Sequence, residues 1–392
     1  MITNFDQIND RHNSGSLKWD FMAQKLGLQA DGLLPMWVSD YDFQAPPAVL
    51  SALNTRIQHG IFGYAERDND YYQAIINWYQ SQHNIHLPQA WITTIHGVLP
   101  GLSILIQMLT QPGDGIVMQT PGYGSFRKIS EFNDRTIIEN PLIEEHGVYS
   151  MDFDHLESCL VAGTKVMILC NPHNPVGKVW SLEEITAVAT LCQKHNVWLL
   201  SDEIWGDLTM PGHHYCSALS LPAELQNMLV VATAASKTFG LSSMRISNFM
   251  IPNAELRSQF VRRLDAHGMD VYNSLAMCAA TAAYQTSAYW LNELKDYLQS
   301  NINYLCDFIS TELPQLNFTQ PEAGYLAWVD CRQLGLVDTQ LETQLVDAGI
   351  VPCMGIAFGD AGKGFIRLNL GCPKATLVEA CQRLKHALST QV

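Results

Sequence analysis

The stretch MLVVATAASKTFGLSSMR, Met228 to Arg245, sets an apolar run, Met228 to Ala232, directly before a lysine held in a collar of Ala, Ser and Gly. A short apolar run bounded by polar breakers reads as a buried strand, which puts Lys237 just past its carboxyl end. Four other runs behave alike. Trp91 to Ile95 leads into His96-Gly97, Ile116 to Met118 into TPGYG, Lys165 to Cys170 into NPHNPVG, and Val197 to Leu200 into Ser201-Asp202. Helix-length patterns lie between them, such as Leu102 to Leu109 and Leu182 to His195; the second opens at Ser181 with Glu184, a capping box. Strand and helix in alternation predict an α/β fold whose mainly parallel sheet is covered on both faces, with ligands bound beyond the carboxyl ends of its strands.

Composition narrows the function classes. A chain of 392 residues, 47% of them apolar, can bury a large core, and about two domains is the expectation for that length. A formal charge of −15 argues against a nucleic-acid or anionic-membrane surface, since either needs a concentrated basic face. The opening MITNFDQIND is polar and acidic, and no apolar run approaches the roughly 18 residues a bilayer needs, so a cytoplasmic protein is expected. The ten cysteines are scattered without a C-x-x-C pair and read as free thiols; no metal site is expected, and His213-His214 reads as surface. Neither G-x-G-x-x-G nor G-x-x-x-x-G-K-[ST] follows any strand.

The C-terminal part has a different pattern: a long amphipathic helix from about Ala288 to Leu313, strands Tyr325 to Val329 and Phe365 to Leu370, and a closing helix Lys374 to Leu388. This predicts a smaller α+β domain over 288–392, after a large domain over 46–287 and an N-terminal segment, 1–45, packed on the small domain. The five strand ends of the large domain present Gly97, Tyr123, Asn174, Asp202 and Lys237 together. Each alone has a bland use in a turn, a cap or a solvated face. Five at equivalent places point to one site.

A lysine in a partly dry pocket loses some preference for its charged form, and a neutral amine condenses with an aldehyde. A phosphate on that aldehyde suits GVLPG, Gly97 to Gly101, where a helix start offers backbone N–H groups, and Arg245 adds a fixed positive charge. Asp202 suits a protonated pyridine nitrogen, Asn174 a ring hydroxyl, and Tyr123 the ring face. Arg367, flanked by Phe365, Ile366 and Leu368, matches a substrate carboxylate. Together these describe a pyridoxal 5'-phosphate site acting on an amino acid.

The motifs SK at Ser236-Lys237, NPxNPxG at Asn171 to Gly177, SDE at Ser201 to Glu203 and RxN at Arg367 to Asn369 resemble those of the fold-type I, aspartate-aminotransferase-like superfamily. LPMWVSDYDF at Leu34 to Phe43, GIFGYAERD at Gly60 to Asp68, NPHNPVGKVW at Asn171 to Trp180 and SKTF at Ser236 to Phe239 resemble the MalY/PatB family of cystathionine β-lyases, which includes cystalysin. That resemblance implies a mainly parallel sheet of the seven-stranded type and a carbon–sulfur β-lyase releasing pyruvate, ammonia and a thiol. It implies that Lys237 binds the cofactor as a Schiff base and moves the Cα proton, that Asp202 pairs with the ring nitrogen and Asn174 with the ring oxygen, and that Tyr123 stacks on the ring. Gly97, Val98, Leu99, Ser236 and Arg245 are implied for cofactor binding, and Val38 and Asn174 beside Arg367 for the substrate. Tyr64 is implied to reach the neighbouring subunit's cofactor, which makes the protein a homodimer with shared sites.

Departures from the family pattern accompany the match. PGYGSF stands where PVYxPF is frequent, which leads us to expect a loop around Tyr123 that is looser or differently aimed. Trp205 replaces a frequent histidine, Ala65 a threonine, and Ala234 a hydroxyl-bearing residue. The alternatives are an aminotransferase, and an enzyme with an added regulatory protein-binding role; the complete set of cofactor residues favours an enzyme.

Overall fold

All five apolar runs become strands in the computed structural model, which describes residues 3–28 and 32–389. In chain order the large sheet contains β1 (Ile92–Ile95), β2 (Gly115–Thr120), β3 (Thr136–Pro141), β4 (Thr164–Cys170), β5 (Trp198–Asp202), β6 (Leu229–Thr233) and β7 (Ser247–Met250). Their spatial order is β1-β7-β6-β5-β4-β2-β3. Every neighbouring pair is parallel except those made by β7, which runs antiparallel to both β1 and β6. The interior strands are buried along both faces, as their unbroken apolar runs require.

Two of these strands, β3 and β7, give no apolar run. The edge strand β3 has five of its six residues exposed or half-buried, so TIIENP carries polar residues. Strand β7 is buried but reads SNFM, because its polar side chains find partners in the neighbouring strand and in the helix Asn69–His83 packed on it. Asn248 Oδ1 accepts from Tyr71 Oη at 2.8 Å and from Thr94 Oγ1 at 3.0 Å, and Ser247 Oγ donates to the Ile95 carbonyl at 3.3 Å.

Helices begin where their caps are. Ser181 Oγ accepts from the Glu184 N–H at 3.1 Å, and Glu184 Oε2 accepts from the Ser181 N–H at 2.8 Å, closing the capping box that opens Leu182–Lys194. The helix after β1, Val98–Leu109, starts instead from Gly97 at φ 110°, ψ 152°, where no side chain caps it. Its first N–H groups therefore point out toward the strand ends.

A second, four-stranded sheet consists of β8 (Asn317–Phe318), β9 (Leu326–Asp330), β10 (Cys353–Met354) and β11 (Phe365–Asn369), antiparallel throughout in the order β8-β9-β11-β10. Helices Ala288–Glu312 and Lys374–Leu388 accompany it. Arg367 lies mid-strand between Trp328 and Cys353. Leu34–Pro35 pairs in parallel with Ile350–Val351, so the chain that follows, Met36 to Asp42, runs along this sheet's end toward the larger one. A buried ion pair fastens that strap: Lys18 Nζ lies 2.6 Å from Asp42 Oδ2, and Trp19 Nε1 donates to Asp42 Oδ1 at 2.9 Å.

Candidate active site

Sheet register fixes the floor of the site. Asp202 ends β5 level with Cys170 on β4 and Ala232 on β6, so the segments leaving those strands, NPHNP and ASKT, rise on either side of it. The Asp202 side chain is buried, and among the described residues it accepts a single hydrogen bond, from the Ile204 N–H at 3.2 Å. Removal from water pushes its carboxyl up to about 7; the neighbouring Glu203 charge adds to this, while the Ile204 bond and Lys237 oppose it. A buried carboxyl so sparsely bonded suits a cationic partner.

Lys237 lies on the four-residue helix Ala235–Thr238 that follows β6. Its Nζ donates to the Ser39 carbonyl at 2.6 Å and sits 5.6 Å from the centre of the Trp205 ring. Burial lowers its amine to about 8, helped by the charge of Arg367 and resisted by Asp40 and Asp202. Ser236 precedes it, half-buried, and accepts through its carbonyl from the Leu241 N–H at 3.0 Å.

Arg245 stands in the left-handed region at φ 50°, exposed, with Nη2 directed at the His96 carbonyl at 3.4 Å. A Cβ on Gly97 would lie 3.5 Å from that same Nη2, so the guanidinium rests against the glycine that opens the helix. The N–H groups of Val98 and Leu99 and this guanidinium thus share one corner, a concentration of donors and positive charge that suits a phosphate.

Across the site, Arg367 Nη1 donates to Asn174 Oδ1 at 2.9 Å and Nη2 to the Trp37 carbonyl at 3.1 Å, while its Nε is buried with no partner among the described residues. The Phe358 ring lies under the guanidinium at 4.7 Å. Burial lowers its affinity for the proton, which marks a cation held out of water. The carbonyl of Val38 accepts from Asn369 Nδ2 at 2.6 Å, which ties the strap to β11. Tyr64 is not among these residues: it is 95% exposed and lies outside the cluster in its own chain.

The loop around Tyr123 is tight, contrary to the looseness that two glycines suggested. A Cβ on Gly122 would come within 2.1 Å of the Gln119 carbonyl oxygen, and one on Gly124 within 2.6 Å of the Ala357 carbonyl oxygen. The Gly122 N–H also donates to the Phe358 carbonyl at 2.9 Å. Glycine is needed here for close approach of two backbones. His173 adds a second tie, with Nε2 donating to the Pro121 carbonyl at 2.8 Å; burial lowers this imidazole to about 4, which keeps it neutral.

Trp37, Ser39 and Phe358 are the site residues that sequence reasoning missed. The first two contribute carbonyl oxygens, which every residue carries, so no side-chain signal exists. The position of Phe358 follows from the fold of Gly355–Phe358, a single 3-10 turn without periodicity.

The sequence matches the model of the family described as aminotransferase class I and II over residues 32–384. The chain belongs to this family. It is 39% identical over 388 residues to cystathionine beta-lyase PatB of Bacillus subtilis, covering 98% of this chain and 100% of that one. It is 34% identical to protein MalY of Escherichia coli, covering 98% of each. Among solved structures, cystalysin from Treponema denticola, which contains a pyridoxal 5'-phosphate cofactor, superposes with a TM-score of 0.96 at 32% identity over 99% of each chain. The MalY/PatB resemblance read from the motifs is borne out over the full length, as is the fold-type I architecture. Asp202, Lys237 and the Gly97–Arg245 corner fit pyridoxal phosphate: a buried carboxyl with one hydrogen bond among the described residues, an amine lowered toward neutrality, and a helix start with an arginine against it.

Proposed function

We propose that this chain is a pyridoxal-phosphate-dependent carbon–sulfur β-lyase that converts S-substituted L-cysteines, cystathionine among them, to pyruvate, ammonia and a thiol. Full-length identity to a cystathionine beta-lyase at 39% carries the reaction class. The second reading, an aminotransferase, draws on the family model, whose description is aminotransferase class I and II.

Each residue's part follows from its surroundings. Arg367 is a fork held from behind by Asn174, the Trp37 carbonyl and the Phe358 ring, with Nε still unpartnered, and it binds the α-carboxylate of the substrate. Asn174 serves that grip and the cofactor's ring oxygen. Arg245, Gly97, Val98 and Leu99 hold the phosphate, Ser236 flanks them, Tyr123 covers the ring, and Asp202 holds the ring nitrogen in its protonated form. Bound there, the cofactor supplies an electron sink for the pair left when Cα loses its proton. Lys237 takes that proton. Its amine, lowered to about 8, exchanges protons near neutral pH, and the Ser39 carbonyl keeps it directed into the site. The sulfur leaves Cβ as a thiolate with the carbon–sulfur bond pair.

The same reading makes the protein a cytoplasmic homodimer. Tyr64 projects from a stretch where Ile57, Ile61 and Phe62 are also exposed, an apolar patch that suits a second copy of the chain and lets Tyr64 complete the partner's site. Residues 46–287 form the large domain that holds the cofactor and 288–392 the small domain that brings Arg367, with 1–45 packed on the small domain. No described helix is long and apolar enough to cross a membrane. Product analysis tests the reaction: cystathionine should yield equimolar pyruvate, ammonia and homocysteine. A keto acid that retains the sulfur would identify an aminotransferase instead.

A further inference from the structure

The carboxylate of Asp207 joins three segments of the site and has no part in the chemistry above. It lies in the 3-10 turn Gly206–Leu208, shortly after Asp202 and Trp205 on the same chain segment. Its Oδ1 accepts from Trp78 Nε1 at 2.9 Å and faces His83 Nε2 at 2.8 Å, both on helix Asn69–His83. Its Oδ2 accepts from Thr238 Oγ1 at 2.7 Å. Thr238 is the residue after Lys237.

A helix of one turn cannot fix its own orientation, because it closes hardly any backbone bonds of its own. Ala235–Thr238 is such a helix, so its lysine is aimed by outside contacts. Two of these come from the same direction: the Thr238 hydroxyl on Asp207, and the Phe239 ring meeting Trp78 edge-on at 5.4 Å. The Asp207 end of the brace is itself stiff. Gly206 N–H donates to the Glu203 carbonyl at 3.0 Å and Leu208 N–H to the Trp205 carbonyl at 3.0 Å, which ties the turn to the strand end bearing Asp202. With its side chain only 10% exposed, Asp207 shares its charge with few water molecules, and its bonds to Thr238, Trp78 and His83 are charge-assisted.

We propose that Asp207 is a positioning residue that, through the Thr238 hydroxyl, sets the separation of the Lys237 amine from the Asp202 carboxylate. The inference rests on the proposed roles of those two residues. The ionisable groups around Asp207 are His83, which is hydrogen-bonded to it, and Tyr41, Tyr79, Tyr284 and Lys295, which feel its charge.

The test uses the holoenzyme with Thr238→Val, Thr238→Ala and Thr238→Ser. Three quantities are read: the pH midpoint of the visible absorption band of the cofactor bound at Lys237, the dissociation constant for pyridoxal phosphate, and kcat and KM for cystathionine. Loss of the hydroxyl in the Val and Ala variants should move the pH midpoint, weaken cofactor retention and lower kcat about tenfold, with KM changed less than about twofold. Thr238→Ser, which restores the hydroxyl, should restore all three. A wild-type midpoint and kcat in the Val and Ala variants would overturn the proposal, even if melting temperature fell, and so would a Ser variant no better than Ala. Should Thr238→Val fail to fold, the Ala and Ser pair decides. Should wild type bind the cofactor yet cleave no carbon–sulfur bond, the lyase reading fails, and the midpoint and dissociation constant still test the brace.

Discussion

At the scale of single residues, the site works by holding charged groups where water cannot share them. Asp202 shows this most clearly. Its carboxyl is raised from an ordinary 3.8 to about 7, so between those values the folded apoprotein binds a proton that the unfolded chain does not. Stability from that proton is complete below about pH 4 and is lost as pH rises through about 7. Apo wild type should therefore fall behind apo Asp202→Asn across that window, by about 4 kcal/mol at most, in chemical denaturation at several pH values. Adding pyridoxal phosphate should shrink the difference, because the ring nitrogen gives the carboxylate its cation. Arg367 should behave in the opposite sense toward the cofactor. Arg367→Ala should lower kcat/KM by about two to three powers of ten, roughly 3 to 4 kcal/mol, and leave the visible band in place. Loss of the cofactor as its main effect would exchange its role with that of Arg245. Lys237, Asp202, Asn174 and Arg367 were legible because a polar side chain just after or inside an apolar run is conspicuous. The Ser39 and Trp37 carbonyls were not, since backbone oxygens leave no mark in a sequence.

At the scale of elements, the interior strands and the capped helices could be read because burial on both faces forces unbroken apolar runs and an orphaned helix start selects Ser and Glu. Strands β3 and β7 escaped that logic, one through exposure at the edge and the other through buried polar pairs with a neighbouring strand and a helix. The Tyr123 loop is where local chemistry misled. Its glycines read as freedom, yet Gly122 is pressed against the Gln119 carbonyl three residues before it, and Gly124 against the Ala357 carbonyl more than two hundred residues away. Gly124→Ala should force the Ala357 carbonyl to move and cost about 1 to 3 kcal/mol, measured as a lower denaturation midpoint. A variant as stable as wild type, with unchanged kinetics, would mean that the segment gives way freely and the loop is loose after all.

At the scale of the whole molecule, two sheets meet over a strap, and Arg367 and Lys237 come to one site from different parts of the chain. On the proposed assignment, β11 supplies the carboxylate-binding Arg367, and the ends of β1, β2, β4, β5 and β6 supply the residues for the cofactor. Tyr64 is 95% exposed in its own chain, as a residue that serves a neighbouring subunit would be. Mixing inactive Tyr64→Ala and Lys237→Ala chains should restore activity, because one site of each heterodimer then carries neither lesion; no recovery despite demonstrated subunit exchange would remove Tyr64 from the partner's site. The central claim concerns the fate of the electron pair after Cα is deprotonated. Loss of a thiolate from Cβ would let the site take another substrate at once, whereas transamination would halt after half a cycle until a keto acid arrived. The most direct measurement is thus the number of turnovers per site with cystathionine and no keto acid present. The account predicts many, with pyruvate and homocysteine accumulating and the visible band persisting. A halt after one equivalent per site, with the cofactor in its pyridoxamine form and activity resuming only when a keto acid is added, would contradict it.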